Sequence, residues 1–260
     1  MCYNVKATLE TQLKHARRKG HTQEADAIQL ELNLLGKGNY NVANGFDYPP
    51  MVIYPTPDSK PLIGNWGFVP RTFKGEDPKE FLTKFRTLNA TIERLFDSYA
   101  FQKSAKSNHC LLYVDGYYDY HHHQGVKYPF FIHRSDVDVF PLAGIWDEWI
   151  NPITNIKLIS FSIVTTVPNK TMALIHNNPD REGPRMPVVL DEIMAEEWLK
   201  PGHTKNSIMQ FSVPFTDSLM DAYPVKPLSG KNVIKNAPDA SDKVEYKDLS
   251  PMIEKLNSYT

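Results

Sequence analysis

Apolar β-rich runs in the second quarter and middle of the chain limit what it can fold into. Residues 109–134, HCLLYVDGYYDYHHHQGVKYPFFIHR, read as strand, turn and strand, with a hairpin tip at Gln124-Gly125. FPLAGIWDEWI (140–150) and KLISFSIVTT (157–166) are further β-rich runs around Asn151-Pro152. Helical patterns lie around these runs but do not alternate with them. Leu9, Leu13 and Ala16, then Ala25, Ile28, Leu32 and Leu35, fall near a spacing of four. They predict helices over 6–19 and 22–35, broken at Lys19-Gly20 and ended by Gly36 and Gly38. MVIYPTPDSKPLIGNWGFVP reads as two strands around a Pro/Asp/Ser turn, and residues 77–107 hold short helices. NKTMALIH is a short helix, PVVL a strand, and Asp191 caps the helix EIMAEEWLK. A helix at about 204–209 follows, and the tail after 229 is polar. Strands and helices interspersed without a βαβ rhythm indicate an α+β fold rather than a doubly wound sheet.

With 260 residues the chain can bury a substantial core, and 20 prolines against 13 glycines favour interrupted elements over long helices. A net charge of −1 supplies no global field toward nucleic acid or membranes, although 29 Lys and Arg leave room for a local basic groove. Two cysteines, Cys2 and Cys110, make no disulfide framework and fit a reducing cytosol. No apolar run approaches the ~20 residues of a membrane span. The polar start carries no signal-peptide core. The sequons at Asn89 and Asn169 mean nothing without secretion. There is no internal repeat, phosphate-binding glycine loop or CxxC pair.

Several residues could carry chemistry, and each has an ordinary structural reading beside it. Cys2 follows Met1, and a small second residue favours removal of the initiator. Cys2 would then combine an α-amine, with a pKa of ~7.7–8, and a thiol in one residue. Such an aminothiol condenses with an aldehyde to an imine, and the thiol closes a thiazolidine. Without that, Cys2 is only part of a frayed terminus. Asn89 in LNATIE is a site residue or a helix cap. Asp119, between Tyr118 and Tyr120, is a general acid or base with a raised pKa, or the outward residue of an alternating strand. His121, His122 and His123 alternate faces with no completing ligand set, so they read as an exposed polar turn and not a metal site. His176 ends a short helix. Arg185 suits a phosphate or a carboxylate. Trp66 is a stacking platform or core.

The order of these segments carries more than any one of them. Cys2, YNVA (40–43), WGFVP (66–70), LNATIE (88–93), CLLYVDGYYDY (110–120), FSIVTT (161–166), IH (175–176), PRMPVVL (184–190) and YPV (223–225) follow one another as in a single family. The sequence resembles the SOS response-associated peptidase (SRAP) family, which shields abasic sites in single-stranded DNA. The resemblance implies one α+β domain over 1–228, with a mixed, partly barrel-like β core, peripheral helices and the helical hairpin at 6–35. A polar extension occupies 229–260. It implies loss of Met1 and a thiazolidine crosslink from Cys2 to the open-chain aldehyde of an abasic sugar. Asn89 would hydrogen-bond near the Cys2 amine, His176 would protonate the ring oxygen, and Asp119 would shuttle protons. The implied DNA-binding residues are Trp66, Phe68, Pro70, Arg71, Thr91 and Arg185. The resemblance implies no metal or cofactor, single-stranded DNA with abasic sites as partner, no membrane, a monomer, and a cytoplasmic location.

The sequence departs from the family pattern in three places. Asn4 and Thr91 stand where the family keeps phosphate-binding arginines, and each lost contact weakens DNA binding and flattens its salt dependence. Lys6, Arg71, Arg86 or Arg94 are candidate substitutes. Asp119 replaces a glutamate, and a carboxylate displaced by about 1 Å can slow a reaction ~10²-fold. Two other readings remain open from sequence: an N-terminal-nucleophile peptidase, and a DNA-binding module without chemistry.

Overall fold

The computed structural model describes residues 2–58, 60–180, 183–231 and 233–259. Met1, whose removal the sequence reading invokes, and Ser59 of the expected Pro/Asp/Ser turn lie outside them.

The first segment is extended, not helical. β1 (Asn4–Ala7) turns Val5 and Ala7 inward, the period-two pattern of a strand. The helix predicted from residue 6 therefore starts at residue 9, as α1 (Leu9–Arg18), where the Thr8 hydroxyl accepts from the Thr11 N–H at 3.1 Å. Leu9, Leu13 and Ala16 form its buried stripe. The partner helix, α2 (Thr22–Leu34), buries Ala25 and Leu32 but leaves Leu30 and Leu34 exposed. Gly36 and Gly38 then take left-handed φ of 61° and 92°. A side chain at Gly38 would also press on Leu32, 3.0 Å away.

The remaining elements run in chain order as β2 (Tyr40–Asn44), β3 (Pro50–Ile53), β4 (Leu62–Trp66), α3 (Pro78–Phe85), β5 (Asn89–Thr91), β6 (His109–Val114) and β7 (Gly116–His123). They continue with β8 (Val126–Arg134), β9 (Phe140–Ile150), β10 (Lys157–Thr166), α4 (Lys170–Ile175), β11 (Met186–Pro187), α5 (Glu192–Leu199), β12 (Met220–Pro224) and α6 (Ser250–Asn257). One sheet has the order β12-β8-β7-β1-β2. The other has the order β3-β4-β10-β9-β6, with β5 and β11 also on β10. The hairpin tip falls at Gln124-Gly125, both at positive φ (50° and 79°), as a type I′ turn requires. The segment 109–134 holds one more break than its sequence suggests. At Asp115 the chain leaves the second sheet and enters the first. The helix expected near 204–209 is a 3-10 turn at Ser207–Phe211.

The fold is mixed α+β, as expected, with curled sheets facing a shared interior. Cys2, Trp66, Tyr117, Phe130 and Phe161, from both sheets, belong to one buried cluster. Three-residue β5 lies parallel to β10, with Asn89 opposite Ile163, which brings a polar residue to the wall of this interior. Asp191 caps α5 by accepting from Met194 N–H at 2.8 Å. The polar stretch 229–260 is anchored at several points. Val225 bridges to Lys243, the Tyr246 hydroxyl donates to the Val225 carbonyl at 2.9 Å, and Leu249 and Leu256 enter the main core. No helix among the described residues is long and apolar enough to cross a membrane.

Candidate active site

β1 is the element that positions Cys2. It pairs antiparallel with β7 in the register Asn4↔Tyr118, so the residues just before it run alongside Asp119 and Tyr120. Cys2 is fully buried, and its Sγ lies 3.5 Å from the Asn4 carbonyl. Burial pushes the thiol well above its usual range, and the charge of Asp119 pushes the same way. The sulfur is therefore held as the thiol.

Asn89 is a strand residue, not a helix cap. Its Nδ2 donates to the Cys2 carbonyl at 2.8 Å. Its Oδ1 is buried and has no hydrogen-bond partner among the described residues. Such an acceptor costs roughly 1–3 kcal/mol while it stays unpaired. The amide thus has one end fixed to Cys2 and the other open to a donor.

Asp119 and His176 form a buried pair. Short α4 begins at Asn169, whose side chain accepts from Met172 N–H at 2.8 Å, and ends at His176. His176 Nδ1 lies 2.7 Å from Asp119 Oδ2, with both side chains 8% exposed. Asp119 Oδ1 accepts from the Tyr120 N–H at 2.8 Å. Burial lifts the Asp119 carboxyl to about 6, so it can exchange a proton near neutrality. Its shorter side chain still reaches the imidazole. The strand reading that pointed Asp119 outward does not hold, because β7 lies between β1 and β8 and turns this side chain inside.

The structure thus brings Cys2, Asn89, Asp119 and His176 together. It places the other sequence candidates differently. Trp66, Phe68 and Pro70 are buried, and the Trp66 indole N–H donates to the Leu88 carbonyl at 2.8 Å. All three are packed into the protein interior, and the stacking role expected of them is not visible in their placement. Arg71 pairs with fully buried Asp147 through its Nε (2.7 Å) and Nη2 (2.6 Å). Leaving that pair would strand an uncompensated buried carboxylate. Arg185 makes a two-pronged pair with Glu93 at 3.1 and 2.8 Å and donates to the Thr165 carbonyl at 2.8 Å. Burial works against the Glu93 charge, but Arg185 outweighs it and holds the carboxyl below its usual range. Thr91 is half-buried and pairs with the same Thr165 across β5 and β10. His121 is buried and its Nδ1 lies 3.0 Å from the Leu174 carbonyl, so it is no part of an exposed turn. No group of His, Cys, Asp and Glu among the described residues has the makings of a metal site.

One feature had no signal in the sequence. A cavity of about 740 Å³ is lined by Tyr3, Asn4, Phe46 and Tyr120 together with Lys37 and Lys235. Its walls come from opposite ends of the chain, which linear spacing cannot reveal.

A buried cysteine, an amide, a carboxylate and an imidazole are gathered between two curled sheets, where the chain's first strand enters the fold. The sequence matches the family model described as SOS response associated peptidase (SRAP) over residues 1–232, and the chain belongs to that family. It is similar to abasic site processing protein YoqW of Bacillus subtilis (strain 168), with 31% identity over 178 residues, covering 67% of this chain and 72% of that one. It is also similar to abasic site processing protein HMCES of Gallus gallus, with 28% identity over 154 residues, covering 52% of this chain and 43% of that protein. Among solved structures, a protein from Bacteroides thetaiotaomicron superposes with a TM-score of 0.79 at 27% identity, over 94% of this chain and 100% of that one.

Proposed function

We propose that this chain recognises abasic sites in single-stranded DNA and shields them by a covalent thiazolidine link to Cys2, exposed by removal of Met1. The names of its relatives, abasic site processing proteins, support the substrate. The observation that carries the chemistry is the gathering of buried Cys2, Asp119 and His176 with half-buried Asn89.

The reaction balances without an added reagent. His176 donates a proton to the sugar ring oxygen while the C1 hydroxyl gives its proton back to the Asp119–His176 pair, the ring C–O bond breaks, and the open-chain aldehyde forms. The Cys2 amine attacks the aldehyde carbon to give a carbinolamine. The Asp119–His176 pair protonates the departing hydroxyl, water leaves, and an imine remains. The Cys2 S–H then adds across the C=N bond, sulfur to carbon and proton to nitrogen, closing the ring. One water is released overall. The open Oδ1 of Asn89 is suited to accept from the amine or a sugar hydroxyl and to orient it.

This order suits a buried, protonated thiol, because the amine is the first nucleophile and the sulfur adds second. A peptidase using Cys2 as a thiolate needs a lowered pKa, whereas burial raises it here. That contrast favours the crosslinking reading over the hydrolytic one.

The test is a denaturing gel of the Met1-free protein incubated with single-stranded DNA bearing one abasic site, with intact mass measured first. A slower band should form with the native chain and be absent with Cys2→Ala. Met1-free native protein that yields no such band would sink the proposal.

A further inference from the structure

Short α4 carries His176 to Asp119, and it cannot hold itself in place. It has six residues, and isolated helices of that length are marginal in water. Where His176 stands is therefore decided by what ties α4 down. At its start, Asp217 accepts from the N–H groups of Lys170 (3.3 Å) and Thr171 (2.8 Å), and Asn169 Nδ2 donates to the Phe215 carbonyl at 2.9 Å. These ties run to the segment just before β12. At its end the ties run to β7, the strand that bears Asp119.

Two side chains make the ties to β7. His121 donates from Nδ1 to the Leu174 carbonyl at 3.0 Å. The other is Asn177, which directly follows His176. Its Oδ1 accepts from the His122 N–H at 2.6 Å, and its Nδ2 donates to the His122 carbonyl at 2.9 Å. One amide thus takes both backbone groups of one strand residue, as a neighbouring antiparallel strand does.

The sheet leaves a place for that amide. β1 pairs with β7 from Gly116 to Tyr118, whereas β8 follows β7 as far as His123. Past Tyr118, one edge of β7 is therefore open. Backbone alternation turns Tyr120 and His122 to it. The Tyr120 N–H is taken by Asp119 Oδ1, and the backbone groups of His122 are taken by Asn177. His176 and Asn177 are consecutive, and Asp119 and His122 share a strand. The clamp therefore sets the register of α4 against the carboxylate that His176 meets at 2.7 Å.

We infer that Asn177 is a positioning residue for the Asp119–His176 pair. It touches no reacting atom. It locks the end of α4 to the open edge of β7 and so aims the imidazole. Asn177 is exposed, so its two bonds add little to global stability, and what they fix is direction. A displacement of about 1 Å at a reacting group can slow a step ~10²-fold. The effect on rate rests on the crosslinking reading above, but the placement of His176 can be followed without DNA.

The test uses full-length, Met1-free protein and two readouts. The first is the rate of crosslinking at saturating single-stranded DNA bearing one abasic site, with the half-saturating DNA concentration measured alongside. Asn177→Ala should lower the rate roughly tenfold or more and leave the half-saturating concentration unchanged. Asn177→Asp, which keeps an acceptor for the His122 N–H, should fall between that variant and native. Asn151→Ala, which breaks a comparable exposed amide bond to the Glu76 carbonyl (2.8 Å) in the turn after β9, should match native. The second readout is the low-field proton resonance of the His176–Asp119 hydrogen bond, assigned by its loss in His176→Gln. It should shift or broaden in Asn177→Ala and stay in place in Asn151→Ala. A native resonance in Asn177→Ala, or a native rate in that variant when the native chain crosslinks, overturns the positioning role and leaves the crosslinking proposal standing. A native chain that forms no crosslink sinks that proposal alone, and the resonance then decides the positioning role.

Discussion

At pH 7 an Asp119 carboxyl lifted to about 6 keeps roughly a tenth of its protons, while an α-amine of pKa ~7.7–8 is free base to a similar extent. The proposed reaction needs both minority forms, so its rate should trace a bell with a maximum near pH 7. The limb on the alkaline side belongs to Asp119, and Asp119→Asn should remove it while lowering the rate throughout. Crosslink formation timed on gels from pH 5 to 9 checks this. The same raised value has a stability sign. Folded Asp119 binds its proton more tightly than an unfolded carboxyl at 3.8, so its contribution turns unfavourable as pH rises from about 4 to about 6. At this scale the sequence was informative about identity and uninformative about orientation. Cys2, Asn89, Asp119 and His176 stood out by type and order. That Trp66 was core, or that Arg71 and Arg185 already held Asp147 and Glu93, depends on which side chains meet, and sequence spacing says nothing of that.

Among the elements, β9 shows how tightly the sheets constrain their residues. Gly144 lies opposite Cys110 on β6, and a Cβ there would fall 2.7 Å from the Cys110 sulfur and 3.2 Å from the Ser162 carbonyl on β10. Gly144→Ala should therefore cost about 1–3 kcal/mol by overpacking. Adding Cys110→Ala removes the obstructing sulfur and should recover part of it, leaving the Ser162 contact. Urea unfolding midpoints of the two variants decide the matter. The β runs at 109–134, 140–150 and 157–166 were legible because their composition and turns agree. The start of α1 and the switch between sheets at Asp115 were not. Val5 and Ala7 fit either period over so short a stretch, and a strand that changes sheets keeps its local pattern.

For the molecule as a whole, the extension after residue 229 is the part whose role its sequence concealed. Its polar composition suggested an appendage, yet Leu249 and Leu256 are 0% and 2% exposed within the main core. Leu249→Ala should cost about 2–5 kcal/mol and lower the melting temperature of the entire chain by several degrees in one transition. Unchanged melting would mean that the extension folds apart from the rest. Its few apolar residues did not stand out because they meet their partners only across the length of the chain. That same closure has a consequence during synthesis. Cys2 leaves the ribosome first, but Asp119 and His176 follow by more than a hundred residues, a delay of roughly 10–35 s at ordinary elongation rates. A bare aminothiol would spend that interval open to every small aldehyde in the surrounding fluid. Under the proposed chemistry, a methionine retained until the strands close around its neighbour would keep the nascent protein from being capped before it is complete.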